Sequence, residues 1–97
     1  MSVECLNNGS GEVVYKFNGR MNLDKCTKCE DKIETTIQGA KKVIFDLANV
    51  DFVSSAFLRL CGRAAAKVIP GNFRIINVKP IVNKVFKISG LSDYVDC

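Results

Sequence analysis

Apolar positions along the chain follow two alternating periods, and the switches between them mark the elements. Val3 to Leu6 is a brief β-like stretch, closed by the turn cluster Asn7, Asn8, Gly9, Ser10 and Gly11. Val13, Val14, Tyr15 and Phe17 predict a second strand ended by Gly19, so the chain is expected to open with a hairpin. From Asn22 to about Gln38 the period lengthens. Cys26, Cys29, Ile33 and Ile37 recur at i, i+3, i+7 and i+11, one apolar helical stripe, with Lys25, Lys28, Asp31, Lys32 and Thr35 facing water. Asn22 or Asp24 is the candidate cap of this helix and Gly39 its stop.

Val43-Ile44-Phe45-Asp46-Leu47 is a near-continuous apolar run that predicts a central strand covered on both faces. After Val50-Asp51-Phe52-Val53 come Ser54 and Ser55, and then a helix to about Ile69, stopped by Pro70-Gly71. Its expected core stripe is Leu58, Cys61, Ala65 and Ile69, with Gly62 and Ala64 allowing close approach to the sheet, and Arg59, Arg63 and Lys67 form the opposite ridge. Phe73 to Val78 alternates as another strand. Pro80 suits the first turn of a third helix carrying Val82, Val85, Phe86 and Ser89 on one face, and Gly90-Leu91 has the form of a Schellman stop. Tyr94 and Val95 are candidates for a short final strand. The order β-β-α-β-α-β-α, with that last strand, defines an α/β fold with helices covering the sheet.

Length fits one domain, residues 1–97, large enough for a real core. Fourteen Lys and Arg against ten Asp and Glu give a net charge of +4. That favours acidic partners without arguing for nucleic acid, because no aromatics are interleaved with the basic ridge. Histidine is absent, which excludes His-based general-base catalysis, His-containing triads and His metal ligation. The N-terminal MSVECLNNGSGE lacks a basic start followed by an apolar run, so no signal peptide is expected. No stretch approaches the roughly 20 apolar residues of a membrane span. The expectation is a cytoplasmic protein, with the five cysteines as reduced thiols and no membrane insertion.

Three features carry candidate chemistry. Cys26-Thr27-Lys28-Cys29 has C-x-x-C spacing, which suits a redox pair or, with distant cysteines, a metal. Both sulfurs fall on the apolar stripe, however, so a core role is simpler, and neither metal nor cofactor is expected. The Arg59, Arg63, Lys67 ridge is either a solvated helix face or a recognition surface for an acidic partner. Ser54-Ser55 stands where a strand ends and a helix begins. One serine can serve as an N-cap, and either can also be a modification target, since a phosphate there would meet the positive end of the helix dipole. With no histidine to act as base, neither serine is a nucleophile in its own right, and no enzymatic activity is expected.

Read together, VIFDLANVDFVSSAFLRLCGRAAAKVIPGNFRIINVKPIVNKVFKISGL resembles the STAS family of anti-sigma-factor antagonists. The matches to the family pattern are Asp46, Val50 to Phe52, Ser55, Leu58, Arg59, Gly71, Ile75, Asn77, Val82, Phe86, Gly90 and Leu91. Gly19-Arg20-Met21-Asn22 stands where the family has G-x-l-D, and the resemblance runs from about Val13 to Tyr94. It implies a small mixed sheet of four or five strands with three or more helices packed on it. It also implies a phosphoacceptor serine at the start of the second helix, which aligns with Ser55, with Ser54 as second choice. Such domains bind an anti-sigma factor with serine kinase activity, are released by phosphorylation and are reset by a phosphatase.

Two departures bear on the site. Phe57 replaces the glycine that usually follows the serine pair, and Ser54 stands where many members have Asp. The Phe57 ring would either anchor an interface or block phosphorylation and leave a binding-only module; with Phe57, Arg59 and Arg63 facing outward, an aromatic-plus-arginine patch would form the partner surface. The competing functions are a STAS-like regulatory subunit of a lipid ABC transporter and a thiol redox protein using Cys26 and Cys29.

Overall fold

The computed structural model describes residues 3–7, 11–68 and 71–96. Strands β1 (Val3–Asn7) and β2 (Glu12–Met21) form the expected antiparallel hairpin. Three strand-helix-strand steps follow: α1 (Leu23–Thr36) to β3 (Lys42–Val53), α2 (Ser55–Ala66) to β4 (Phe73–Ile76), and α3 (Pro80–Ser89) to β5 (Val95–Asp96), the last through a 3-10 turn at Ser92–Tyr94. The sheet order is β1-β2-β3-β4-β5, with β2 to β5 parallel. Crossovers between parallel neighbours are nearly always right-handed, and successive steps in one direction therefore lay the helices on one face.

Burial along the strands agrees. Val13, Tyr15, Phe17 and Met21 of β2, Val43, Phe45, Leu47, Val50 and Val53 of β3, and Phe73 and Ile75 of β4 are all closed off. Phe45 is the hub, meeting Tyr15, Phe17 and Phe73 edge-on at 5.7, 4.9 and 5.0 Å between ring centroids. Such T-shaped contacts align ring edges with ring faces of opposite partial charge. The opposite face stays partly open, which corrects the expectation that Val43–Leu47 is covered on both sides. Two rows cross it: Leu6, Val14, Ile44 and Arg74, then Glu4, Lys16, Asp46 and Ile76. Ile44, Asp46, Arg74 and Ile76 are only half-buried there. A one-sided sheet tolerates this because the charges Glu4, Lys16 and Asp46 alternate in sign across it.

Local signals placed most boundaries. Asn22 caps α1, its Oδ1 accepting from the Lys25 amide at 3.0 Å. Gly90 is left-handed at φ 82°, and the Leu91 amide donates back to the Phe86 carbonyl at 3.0 Å, the anticipated Schellman stop. Gly19 does not end β2. Its φ of +83° creates a bulge, and the strand resumes to pair Met21 with Val53. β4 stops at Ile76 and not Val78, because Asn77 turns left-handed at φ 58°. The α2 stripe is Phe57, Leu60, Cys61 and Ala64, so the Leu58, Cys61, Ala65, Ile69 stripe is corrected by one position. Helix α2 ends at Ala66, and Ile69 and Pro70 lie outside the described residues. Ser89 is exposed, not part of the buried face of α3.

Candidate functional site

Parallel strands deliver their C-terminal ends, and the starts of the helices that follow, to one edge of the sheet. There Ser54 ties β2, β3 and α2 together. Its amide and hydroxyl both donate to the Met21 carbonyl, at 3.1 and 2.9 Å. Its Oγ also accepts from the Phe57 amide at 3.4 Å, making it the N-cap of α2. Ser55 is the first residue of α2; it is exposed, and its hydroxyl has no hydrogen bond among the described residues. One serine therefore holds the fold and its neighbour offers a free hydroxyl to solvent.

Phe57 is fully buried, which removes it from the expected partner patch. Its ring packs edge-on against Phe17 at 5.1 Å and lies 6.1 Å from Phe45. The spacing 57, 60, 61, 64 is as good a helical stripe as the one centred on Leu58, and it carries the larger side chains into the core. The ring consequently does not obstruct Ser55.

Arg59, Arg63 and Lys67 are exposed as expected, but they are not equivalent. Arg63 is paired with Glu30 and lies 3.8 Å from Glu34, both on α1, so it ties the two helices together. Arg59 has no ion pair among the described residues. It lines a depression of about 160 Å³ between the N-terminal halves of α1 and α2, together with Leu23, Thr27, Glu30, Ala56 and Arg63. Leu23 is 67% exposed at the start of α1. On the open sheet face at the same edge, the Arg20 guanidinium sits 4.4 Å above the Phe52 ring. Leu23, Arg20 and Phe52 were not legible as site residues in the sequence, because only the β2–β3 register sets Arg20 opposite Phe52.

Cys26 and Cys29 lie in the core beside this edge, and Cys26 Sγ is 4.0 Å from Ser54 Oγ. Burial pushes both thiols up, with the Ser54 hydrogen bond partly offsetting it for Cys26. Burial raises Cys61 further. A redox thiol needs the opposite shift, so the sites favour a packing role. Asp46 has its own explanation. Its carboxylate accepts from the Ala48 amide at 3.0 Å and from Asn77 Nδ2 at 3.1 Å, fixing the left-handed turn that launches α3.

A one-sided mixed sheet, three helices and an exposed serine at the start of the second define a small domain of the α/β class. The STAS domain model matches residues 6–97, and the chain belongs to that family. It is 29% identical over 83 residues to BtrV of Bordetella bronchiseptica, assigned there as an anti-sigma factor antagonist, covering 82% of this chain and 72% of that protein. Its fold is similar to the unphosphorylated anti-sigma factor antagonist SpoIIAA, with a TM-score of 0.81 at 24% identity over 97% of this chain and 85% of that one. It is also similar to an anti-sigma-factor antagonist domain protein of Planctomyces limnophilus, at 0.81 and 20% identity over 96% and 85%. No helix among the described residues is long and apolar enough to cross a membrane.

Proposed function

We propose that this protein is an anti-sigma-factor antagonist that works by binding, engages an anti-sigma factor with serine kinase activity, and is switched off by phosphorylation of Ser55 and reset by a phosphatase. The observation that carries this reading is the division of labour between the two serines. The Ser54 hydroxyl is committed to the Met21 carbonyl and the Phe57 amide, whereas the Ser55 hydroxyl is exposed and has no hydrogen bond among the described residues. A kinase can take the second without unmaking the helix start. Family membership and the similarity to BtrV support the antagonist role over a transporter subunit.

The partner surface of this reading is the depression beside Ser55. Leu23 supplies an exposed apolar anchor and Arg59 a cation with no ion pair among the described residues, in place of Phe57. Arg63 contributes less, since part of its charge is spent on Glu30 and Glu34. The test is to incubate the protein with a cognate serine kinase and ATP and weigh it intact, comparing Ser54→Ala with Ser55→Ala. Phosphate that disappears only in Ser55→Ala is expected. Phosphate that survives in Ser55→Ala overturns the assignment.

A further inference from the structure

Helix α3 is amphipathic twice over. Its inner face buries Val82 and Phe86 in the core. Its outer face presents Ile81 and Ile88, 65% and 87% exposed. These two side chains are one heptad apart, roughly 10 Å along the axis at about 1.5 Å per residue, and on the same side of the helix. Lys84 lies between them along the axis, slightly to one side, and Lys87 continues that flank, with Lys79 at the N-cap. All three lysines are exposed, and none has an ion pair among the described residues. No acidic residue occurs between Lys79 and Ser89.

An isoleucine left almost wholly in water, with a second one heptad away and a row of uncompensated cations beside them, is not what a merely solvated face requires. We infer that the outer face of α3 is a docking strip for an acidic amphipathic helix of a partner protein, a contact separate from Ser55. Charge complementarity selects the occupant. Apolar side chains of the incoming helix meet Ile81 and Ile88, and carboxylates on its flank meet Lys84 and Lys87, the seam geometry of paired helices. A second copy of this chain fits less well, because an antiparallel two-fold contact through α3 would set lysine against lysine. An anionic membrane fits less well: an interfacial helix presents a broad apolar face, and this strip is two side chains long and one wide, with its cations on one flank.

The experiment uses the full-length, isotope-labelled protein and a synthetic 21-residue helical peptide with leucine at heptad positions a and d and glutamate at e and g. Amide chemical shifts are followed on titration. Saturable shifts confined to 79–90 are expected. Ile88→Ser and the pair Lys84→Glu with Lys87→Glu should each weaken binding about tenfold or more, as expected for an isoleucine that becomes buried on binding. Melting temperatures of these exposed-site variants should stay within a degree or two of the parent, which separates lost docking from lost folding. The inference is overturned by no binding, by shifts elsewhere such as the α1–α2 depression, by equal binding of a peptide with lysine in place of glutamate, or by an unaltered affinity in Ile88→Ser. Binding to phosphatidylglycerol vesicles without binding to the peptide also overturns it, in favour of a lipid surface.

Discussion

Replacing Phe57 by alanine tests whether α2 is seated as described. The ring is wholly buried and contacts Phe17 and Phe45, so its removal takes both transfer free energy and two ring contacts and leaves a cavity under the helix. Phe→Ala at such a site costs about 3–5 kcal/mol. A domain of this size holds about 5–15 kcal/mol in all, and each kcal/mol shifts its melting temperature by about 4–8 °C, so a fall of more than about 10 °C is expected. Phe57→Leu, which refills most of the volume, should cost about 1.5 kcal/mol. The assay is urea unfolding followed by far-ultraviolet circular dichroism, since the chain has no tryptophan to report on its core. A loss below about 1 kcal/mol for Phe57→Ala would put the ring at the surface. It would refute the stripe Phe57, Leu60, Cys61, Ala64 and restore the aromatic patch.

Ser54→Ala should destabilise by about 1–2 kcal/mol through loss of the cap and of the bond to Met21, while Ser55→Ala stays within about 0.5 kcal/mol, both read from urea midpoints. Arg59→Glu should weaken binding to the anti-sigma partner at unchanged melting temperature, measured by calorimetry; equal binding would remove the depression from the partner surface. Arg63→Gln should cost under about 1 kcal/mol, with the difference from the parent shrinking in high salt, because its pairs with Glu30 and Glu34 are partly solvated. Burial raises the Cys26, Cys29 and Cys61 thiols, so as pH climbs past about 8.5 the unfolded chain loses protons that the folded chain keeps. Stability should therefore be fully present at pH 7.5 and fall by pH 9.5, and a urea midpoint that rises over that interval would contradict the buried thiols.

Short-range chemistry was the part of the fold that the sequence exposed. Asn22 as cap, Pro80 at the first turn of α3, Gly90-Leu91 as its stop and the Cys26, Cys29, Ile33 stripe each depend on residues within one or two turns of one another. What was hidden depends on strands meeting. Gly19 reads as a terminator until its bulge is seen to keep β2 in step with β3. Val43–Leu47 reads as two-sided because Ile44 is apolar, yet on the open face it stands in a row with Leu6 and Val14. The site divided in the same way. Ser54 and Ser55 were visible as a pair at a helix start, but which was cap and which was free depended on the Met21 carbonyl, more than thirty residues earlier in the chain. Two overlapping helical stripes were available in α2, and only packing against Phe17 and Phe45 chose the one that buries Phe57.

Splitting the two serine roles has an energetic consequence for the proposed switch. A phosphate on a capping hydroxyl would have to break the bonds that join β2 to α2, so signalling would cost stability. On Ser55 it adds a charge of about −1.5 to −2 at neutral pH to a position already in water. The N-terminus of α2, which has no acidic residue in its first turn, favours that charge by roughly 0.3–1 kcal/mol. The free domain therefore stays folded. In a docked complex the same group must be stripped of water without a partner built for it, which costs several kcal/mol. About 4 kcal/mol weakens a complex a thousandfold, so the charge alone is sufficient to release the partner with no rearrangement of the helix. The fold is thus spared by the hydroxyl that is not modified. In the proposed switch the cap on Ser54 would hold the start of α2 in both states, so that they would differ in surface charge and not in structure.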